Sequence, residues 1–359
     1  MKKIRVKLAS GGYNIHIGAG MLAETGQILK ELGFNDKAVI ITDPAIRNLY
    51  GNGLRQSLNG RGFKTMILEV PAGEENKSLD SAARLYEELT EFGAERNTPV
   101  IALGGGVIGD LAGFVAATYM RGTPFVQIPT TLLAQVDSSI GGKVAVNHGK
   151  LKNKIGAFYQ PRVVITDIDT LETLPTAEIT SGLGEIVKYA VIKDEPFFTL
   201  LEADIDKFKS FDKKTLEDHV ATCVRIKAAV VEKDEKDLGL RNILNFGHTV
   251  GHAVETVSNY GIAHGQAVAI GMMVAAGIGH EMGVFQFKQL IRMRKLLKAA
   301  GLMTAMPPVD IKKVLEAMKH DKKVQGGKIR FVLPRAIGEV FISDDVNLNL
   351  VEKVLAGQK

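Results

Sequence analysis

The chain is predicted to pair an α/β N-terminal domain, built on a mostly parallel, Rossmann-like sheet, with a mainly α-helical C-terminal domain. Two patterns predict this. In the first half, short β-branched runs alternate with helical segments; after "LETLP" (171–175), helical period continues to about residue 319 with hardly a strand. The change of pattern sets the domains at 1–174 and 175–359.

The opening "MKKIRVKLASGGYNIHIG" has the lysines of an export signal but no apolar run, since Arg5 and Lys7 interrupt it, so its alternation reads as a strand. "KAVIITD" (37–43), "FKTMILEV" (63–70), "PVIALGGG" (99–106), "PFVQIPT" (124–130) and "RVVITD" (162–167) are the sheet strands, and "SLDSAARLYEELTEFG" (78–93) is a helix between two of them. In the second half, "LEDHVATCVRIKAAVVEKDE" and "HGQAVAIGMMVAAGIGHEMG" have helical period. "GKIRFVLPRAIGEVFI" is a hairpin, followed by a closing helix.

Composition excludes several classes. With 45% hydrophobic and 24% charged residues, the chain of 359 residues is globular, not disordered. Its net charge of +5 is spread out, with no polybasic run, so nucleic acid is not an expected partner. No run of eighteen apolar residues occurs, so no membrane span is expected. Cys223 is the only cysteine, which rules out an intrachain disulfide and a thiolate zinc cluster and suggests a reducing compartment. The 38 glycines exceed the usual share of about 7%, as tight turns and close backbone approach to ligands require.

"GGGVIGD" (104–110) follows a strand and opens a helix, with Gly104, Gly106 and Gly109 in G-x-G-x-x-G spacing. Backbone N–H groups there suit a phosphate; a tight turn with no ligand fits the pattern too. The turn is not the first in the chain, and the best ribose-binding acid, Asp43, lies upstream instead of downstream. The polar loop "QIPTTLLAQVDSSIGGKVAVNHGKLKNKIGAF" (127–158) gathers Thr130, Thr131, Asp137, Lys143, Lys152 and Asn153 around little apolar matter, as a binding site does.

"NFGHTVGHAVE" (245–255) puts His248 and His252 four apart, on one helix face. That spacing also occurs on ordinary helices. A zinc site with an open position needs three ligands from separate elements. Glu185 in "GLGEIVKYAVI", His248, and His264 in "GIAHGQAVAIGM" occupy apolar neighbourhoods where an unpaired ionisable group is costly, and a shared cation would offset that cost.

Together "GGGVIGDLAGFVAATYMRG", "IPTTLLAQVDSSIGGKVAVN", "GLGEIVKYAVI", "GLRNILNFGHTVGHAVE", "HGQAVAIGM" and "DKK" (321–323) resemble, in order and spacing, the 3-dehydroquinate synthase family of sugar-phosphate cyclases. The resemblance runs over nearly the whole chain. It implies a dehydroquinate synthase-like fold and an NAD- and metal-dependent carbon-oxygen lyase of the shikimate pathway, leading to aromatic amino acids. The implied reaction takes 3-deoxy-D-arabino-heptulosonate 7-phosphate to 3-dehydroquinate and phosphate through transient oxidation by NAD, phosphate β-elimination, reduction, ring opening and an intramolecular aldol.

The implied metal is zinc or cobalt on Glu185, His248 and His264, with His252 left for substrate or catalysis. Substrate contacts fall on Arg121, Asp137, Lys143, Asn153, Lys188, Lys227, Arg241, Asn245, His252 and Lys322. Of these, Lys143, Lys188, Lys227, Arg241, Asn245 and His252 are also catalytic candidates. NAD contacts fall on Asp43, Glu74, Lys77, Gly105, Gly106, Asp110, Thr130, Thr131, Lys143 and Lys152. A cytoplasmic homodimer is implied as well. The family pattern leads one to expect a proline after His148 and a glycine at Leu151; both are missing here. The alternatives are another sugar-phosphate cyclase or a metal-dependent polyol dehydrogenase.

Overall fold

The computed structural model describes residues 1–9, 11–149, 151–319, 324–325 and 328–357. Its strands are β1 (Lys2–Val6), β2 (Tyr13–Gly18), β3 (Lys37–Thr42), β4 (Lys64–Glu69), β5 (Val100–Gly104), β6 (Phe125–Pro129), β7 (Lys143–His148), β8 (Leu151–Phe158), β9 (Val163–Asp167), β10 (Val324–Gln325), β11 (Lys328–Ile329), β12 (Phe331–Ala336) and β13 (Glu339–Ser343). The α-helices are α1 (Met21–Glu31), α2 (Pro44–Ile46), α3 (Asn52–Asn59), α4 (Leu79–Glu91), α5 (Gly106–Thr118), α6 (Thr176–Lys193), α7 (Glu195–Lys209), α8 (Lys213–Lys233), α9 (His248–Val257), α10 (His264–Glu281), α11 (Phe287–Ala299), α12 (Ile311–Lys319) and α13 (Leu348–Gly357).

Two compact units emerge, Met1–Leu174 with Leu216–Glu232, and Pro175–Thr215 with Lys233–Lys359. The body of α8, placed in the second domain by sequence pattern, thus belongs to the first unit. Apolar periodicity identifies a helix but not the core it faces.

In the first unit a seven-stranded sheet runs β1-β2-β9-β6-β5-β3-β4. All its neighbours are parallel except β1 and β2, the hairpin formed by the opening stretch that reads as one strand in sequence. Alternate residues of one strand point to opposite faces. Val39 and Ile41 of β3 therefore join Leu85 and Leu89 of α4 and Leu111 and Val115 of α5, while Ala38 and Ile40 join Leu29 of α1 and Leu54 and Leu58 of α3. Each fully buried Val, Leu or Ile contributes about 1.5–3 kcal/mol, so both faces are held. The polar loop is largely ordered into a β7–β8 hairpin, whose Val144 and Val146 pack with the α4/α5 layer.

In the second unit α6 is buried at every residue from Ser181 to Ile192, and α10 over most of its length, as core helices are. Glycines let these helices touch backbone to backbone. A Cβ on Gly265 would run into the Ser181 carbonyl, and one on Gly184 would lie 2.8 Å from the Gly265 oxygen. Gly247, the left-handed residue before α9 (φ 80°), abuts Val268 and Met272 of α10. Replacing Gly265 with alanine is expected to wedge α6 from α10 and cost about 1–3 kcal/mol, measurable as a lowered unfolding temperature.

Candidate active site

In the first unit the strand order places Asp43, Gly105, Gly106, Thr130 and Thr131 along one edge. The chain passes from β3 outward to β4 and then returns to β5 on the other side of β3, so β3 and β5 flank a topological switch point. Ligands of open α/β sheets bind outside the carboxyl ends of strands at such a point. Asp43 directly follows β3, Gly105 and Gly106 follow β5, and Thr130 and Thr131 follow β6. Because β3 and β5 are neighbours, an acid upstream of the glycine turn still arrives beside it.

Gly106 opens α5, whose first N–H groups lack intrahelical acceptors and suit an anion. A Cβ on Gly105 would meet Thr131 Cγ2 at 3.0 Å, and one on Gly106 would meet Ser138 Oγ at 3.3 Å, so side chains there would crowd the turn. Asp43 also caps α2, accepting from the N–H groups of Ala45 and Ile46.

Lys77, 4% exposed, bridges Asp110 (3.2 Å) and Glu74 (3.1 Å). Asn147 ties this group to the hairpin. Its side chain donates to Glu74 Oε1 (2.9 Å) and accepts from the Asn153 N–H (3.0 Å), and its own N–H donates to the Lys77 carbonyl. Sequence reading missed Asn147, although it lies inside the quoted loop. Burial alone would raise Glu74, but Asn147 and Lys77 hold its carboxyl below the usual value.

Burial pushes Asp110 from 3.8 up to about 6, against the pull of Lys77. The folded value is the higher one. The contribution of Asp110 is therefore complete below pH 3.8 and is lost as pH rises through 6. Asp110→Asn is expected to lose about 1–2 kcal/mol less than the parent protein between pH 5 and pH 8, read from unfolding temperatures at both pH values.

Lys227, on the stretch of α8 that joins the first unit, pairs with the Asp137 carboxylate and donates to its carbonyl (2.7 Å). Lys143 opens β7, and Lys152 and Asn153 lie on β8, Asn153 with φ 53°. Gly149 at φ 56° turns the hairpin without the expected proline. Arg121 is not brought to the strand-end edge. It lies beyond the far end of α5, about 20 Å along the helix from Gly106.

In the second unit Glu185, His248 and His264 converge with their ligand atoms within 4.8 Å of one another. Glu185, fully buried, presents Oε1 at 3.4 Å from the Nε2 atoms of both histidines. Gly184 and Gly265, at the close crossing of α6 and α10, adjoin Glu185 and His264; Gly247 adjoins His248. The small residues beside the three groups thus let their helices approach.

The Nδ1 atoms are fixed separately. His248 Nδ1 lies 3.1 Å from the Phe246 carbonyl, and His264 Nδ1 lies 3.1 Å from Glu255 Oε1. With Nδ1–H retained on each ring, a metal that displaces the Nε2 proton would find each Nε2 lone pair aimed at the cluster. Burial would pull His264 down, but hydrogen bonds to Glu185 and Glu255 outweigh it and hold the imidazole at about 10. Such a pocket favours positive charge. Two imidazoles and a carboxylate suit zinc or cobalt.

Lys188, one turn after Glu185 and 1% exposed, forms an ion pair with it. His252 stands beside the cluster, its ring 5.2 Å from that of His248. Arg241 is 3% exposed, and its Nη1 donates to the Glu235 carbonyl (3.0 Å). Asp234 accepts from the N–H groups of Leu238, Gly239 and Arg241, so it shapes the turn before Arg241; sequence reading missed this. Asn245 ends the 3-10 turn Leu240–Asn245. Lys322 lies outside the described residues.

The family profile for the 3-dehydroquinate synthase N-terminal region matches residues 67–181, and that for the C-terminal region matches residues 182–324. A 3-dehydroquinate synthase of Desulforamulus reducens is 50% identical over 351 residues, covering 96% of this chain and 97% of that protein. Among solved structures, a 2-deoxy-scyllo-inosose synthase complexed with carbaglucose-6-phosphate, NAD+ and Co2+ is 27% identical, with a TM-score of 0.92 and full coverage of both chains (100% each). A 2-epi-5-epi-valiolone synthase of Streptomyces hygroscopicus with NAD+ and Zn2+ bound is 27% identical, with a TM-score of 0.89 over 96% of each chain.

Proposed function

The chain belongs to the 3-dehydroquinate synthase family, and from that premise we propose that it converts 3-deoxy-D-arabino-heptulosonate 7-phosphate to 3-dehydroquinate and phosphate. The observation that carries this reading is the convergence of Glu185, His248 and His264 with a buried lysine beside them. Zinc or cobalt would sit on those three residues. NAD would lie along the strand-end edge at Asp43, Gly105, Gly106, Thr130 and Thr131, with Glu74, Lys77, Asp110, Lys143 and Lys152 as further contacts.

When bound, the metal would ease loss of the carbinol proton and NAD would serve as a hydride acceptor and donor regenerated at each turnover. The chain's own groups handle charge. The substrate carries a carboxylate and a phosphate, and Arg121, Lys143, Lys188, Lys227 and Arg241 are the cations assigned to them, with Asp137, Asn153, Asn245 and Lys322 completing the set. Arg241 grips an oxyanion with two parallel N–H donors, whereas the lysines act as point charges. His252, outside the ligand set, exchanges protons with substrate. The ketone would acidify the neighbouring C–H, whose proton an oxygen of the substrate's own phosphate would take as phosphate leaves by β-elimination.

Relatives of this synthase type reach 50% identity, whereas the valiolone and inosose synthases stand at 27%; this supports the carboxylated substrate over those of other cyclases. A cytoplasmic homodimer belongs to the same reading, and no helix among the described residues is long and apolar enough to cross a membrane. The test is identification of the product by mass spectrometry after incubation with the heptulosonate phosphate and catalytic NAD. Formation of 3-dehydroquinate supports the proposal. Net NADH accumulation with a simple polyol, and no such product, would make the protein a dehydrogenase.

A further inference from the structure

We infer that Glu255 is a positioning residue for the metal site: it holds the His264 ring so that Nε2 faces Glu185 and His248. The inference rests on the three-ligand reading of that cluster. Its basis is a difference between the two histidines. His248 has its Nδ1 at 3.1 Å from a backbone carbonyl, that of Phe246 on the segment leading into its own helix, so local chain geometry orients it. His264 is the first residue of α10 and 30% exposed, and no backbone carbonyl fixes its ring among the hydrogen bonds described. A carboxylate does so instead, Glu255 Oε1 at 3.1 Å.

Local structure delivers that carboxylate. Glu255 lies seven residues after His248 on α9, two turns along the same face. The chain then reverses through a tight turn in which Asn259 and Tyr260 adopt left-handed backbone (φ 50° and 58°). The Tyr260 N–H and Ser258 Oγ both donate to the Glu255 carbonyl, closing the turn onto the residue whose side chain is used. Glu255 and His264 are nine positions apart, and this reversal brings them into contact. Glu255 is 14% exposed, so its charge is only partly screened by water.

Two consequences follow. The carboxylate selects the Nδ1–H tautomer and so leaves the Nε2 lone pair for the metal. It also makes that imidazole a stronger donor than one held by a neutral carbonyl. Loss of such a partner weakens metal binding by about 10–100-fold.

The experiment compares the full-length protein with Glu255→Ala, Glu255→Gln and Glu185→Gln, all prepared metal-free. Zinc affinity is measured by competition with a chromophoric chelator, the visible spectrum is recorded after cobalt loading, and unfolding temperature is measured without metal. The expected result is that E255A binds zinc about 10–100-fold more weakly and shifts the cobalt bands. E255Q, which keeps an acceptor without the charge, should recover part of the affinity, and metal-free unfolding of both should stay near that of the parent. Zinc affinity of E255A within twofold of the parent, with an unchanged cobalt spectrum, would overturn the inference. So would weakened binding that tracks a fall in metal-free unfolding temperature and is not relieved by glutamine. If the parent binds no zinc, or E185Q binds it equally well, the three-ligand reading itself fails and the inference falls with it.

Discussion

Exchanging Glu185 for glutamine is expected to remove metal and turnover together. Glu185 is fully buried and faces two imidazole Nε2 atoms at 3.4 Å and the Lys188 ammonium. A neutral amide matches the carboxylate in size but supplies no negative charge, so both the metal and Lys188 lose their counter-ion. Removing one partner of a buried charge pair costs about 3–5 kcal/mol, which corresponds to about 10^2- to 10^4-fold in affinity. Zinc titration of metal-free E185Q should show at least the lower figure, with turnover lost in parallel. Undiminished zinc binding would mean that the cluster is not the metal site.

The second large effect separates metal from chemistry. Lys188 contacts Glu185 but is an ammonium, so it cannot ligate a cation in that form and repels one nearby. Lys188→Ala should therefore lose about 10^2- to 10^4-fold in turnover, as removal of a group that handles protons or charge at the reacting atoms does. Zinc should bind at least as tightly as to the parent. Zinc should also raise the unfolding temperature of the variant by more than that of the parent, because without Lys188 the metal becomes the counter-ion of buried Glu185. Zinc binding and turnover lost together would instead assign Lys188 a structural role.

Much of this was legible in the sequence, for physical reasons. The parallel strands are buried on both faces, so "VIALG" and the "VVI" that opens β9 read as continuous apolar runs. The strand β8 was not legible. Its eight residues are almost all exposed, so "LKNKIGAF" carries no alternation of apolar with polar and reads as loop. The position of Asp43 looked anomalous because chain order hides sheet order; β3 and β5 are neighbours although β4 lies between them in sequence. The three convergent groups stood out as ionisable residues in apolar surroundings. Glu255 ends the quoted histidine stretch, but its partner depends on a backbone reversal at Asn259 and Tyr260, the latter a residue that rarely adopts left-handed backbone. The remote position of Arg121, past the end of α5, follows only from the helix running the length of its layer.

On the proposed reading, Glu185, His248 and His264 hold a metal on which phosphate loss from the heptulosonate phosphate depends. It is tested most directly by following phosphate release with catalytic NAD before chelation, after chelation and after zinc is added back. The expected result is release that chelation abolishes and zinc restores, with 3-dehydroquinate formed and no net NADH. Release that persists unchanged in protein shown to be free of metal would contradict it.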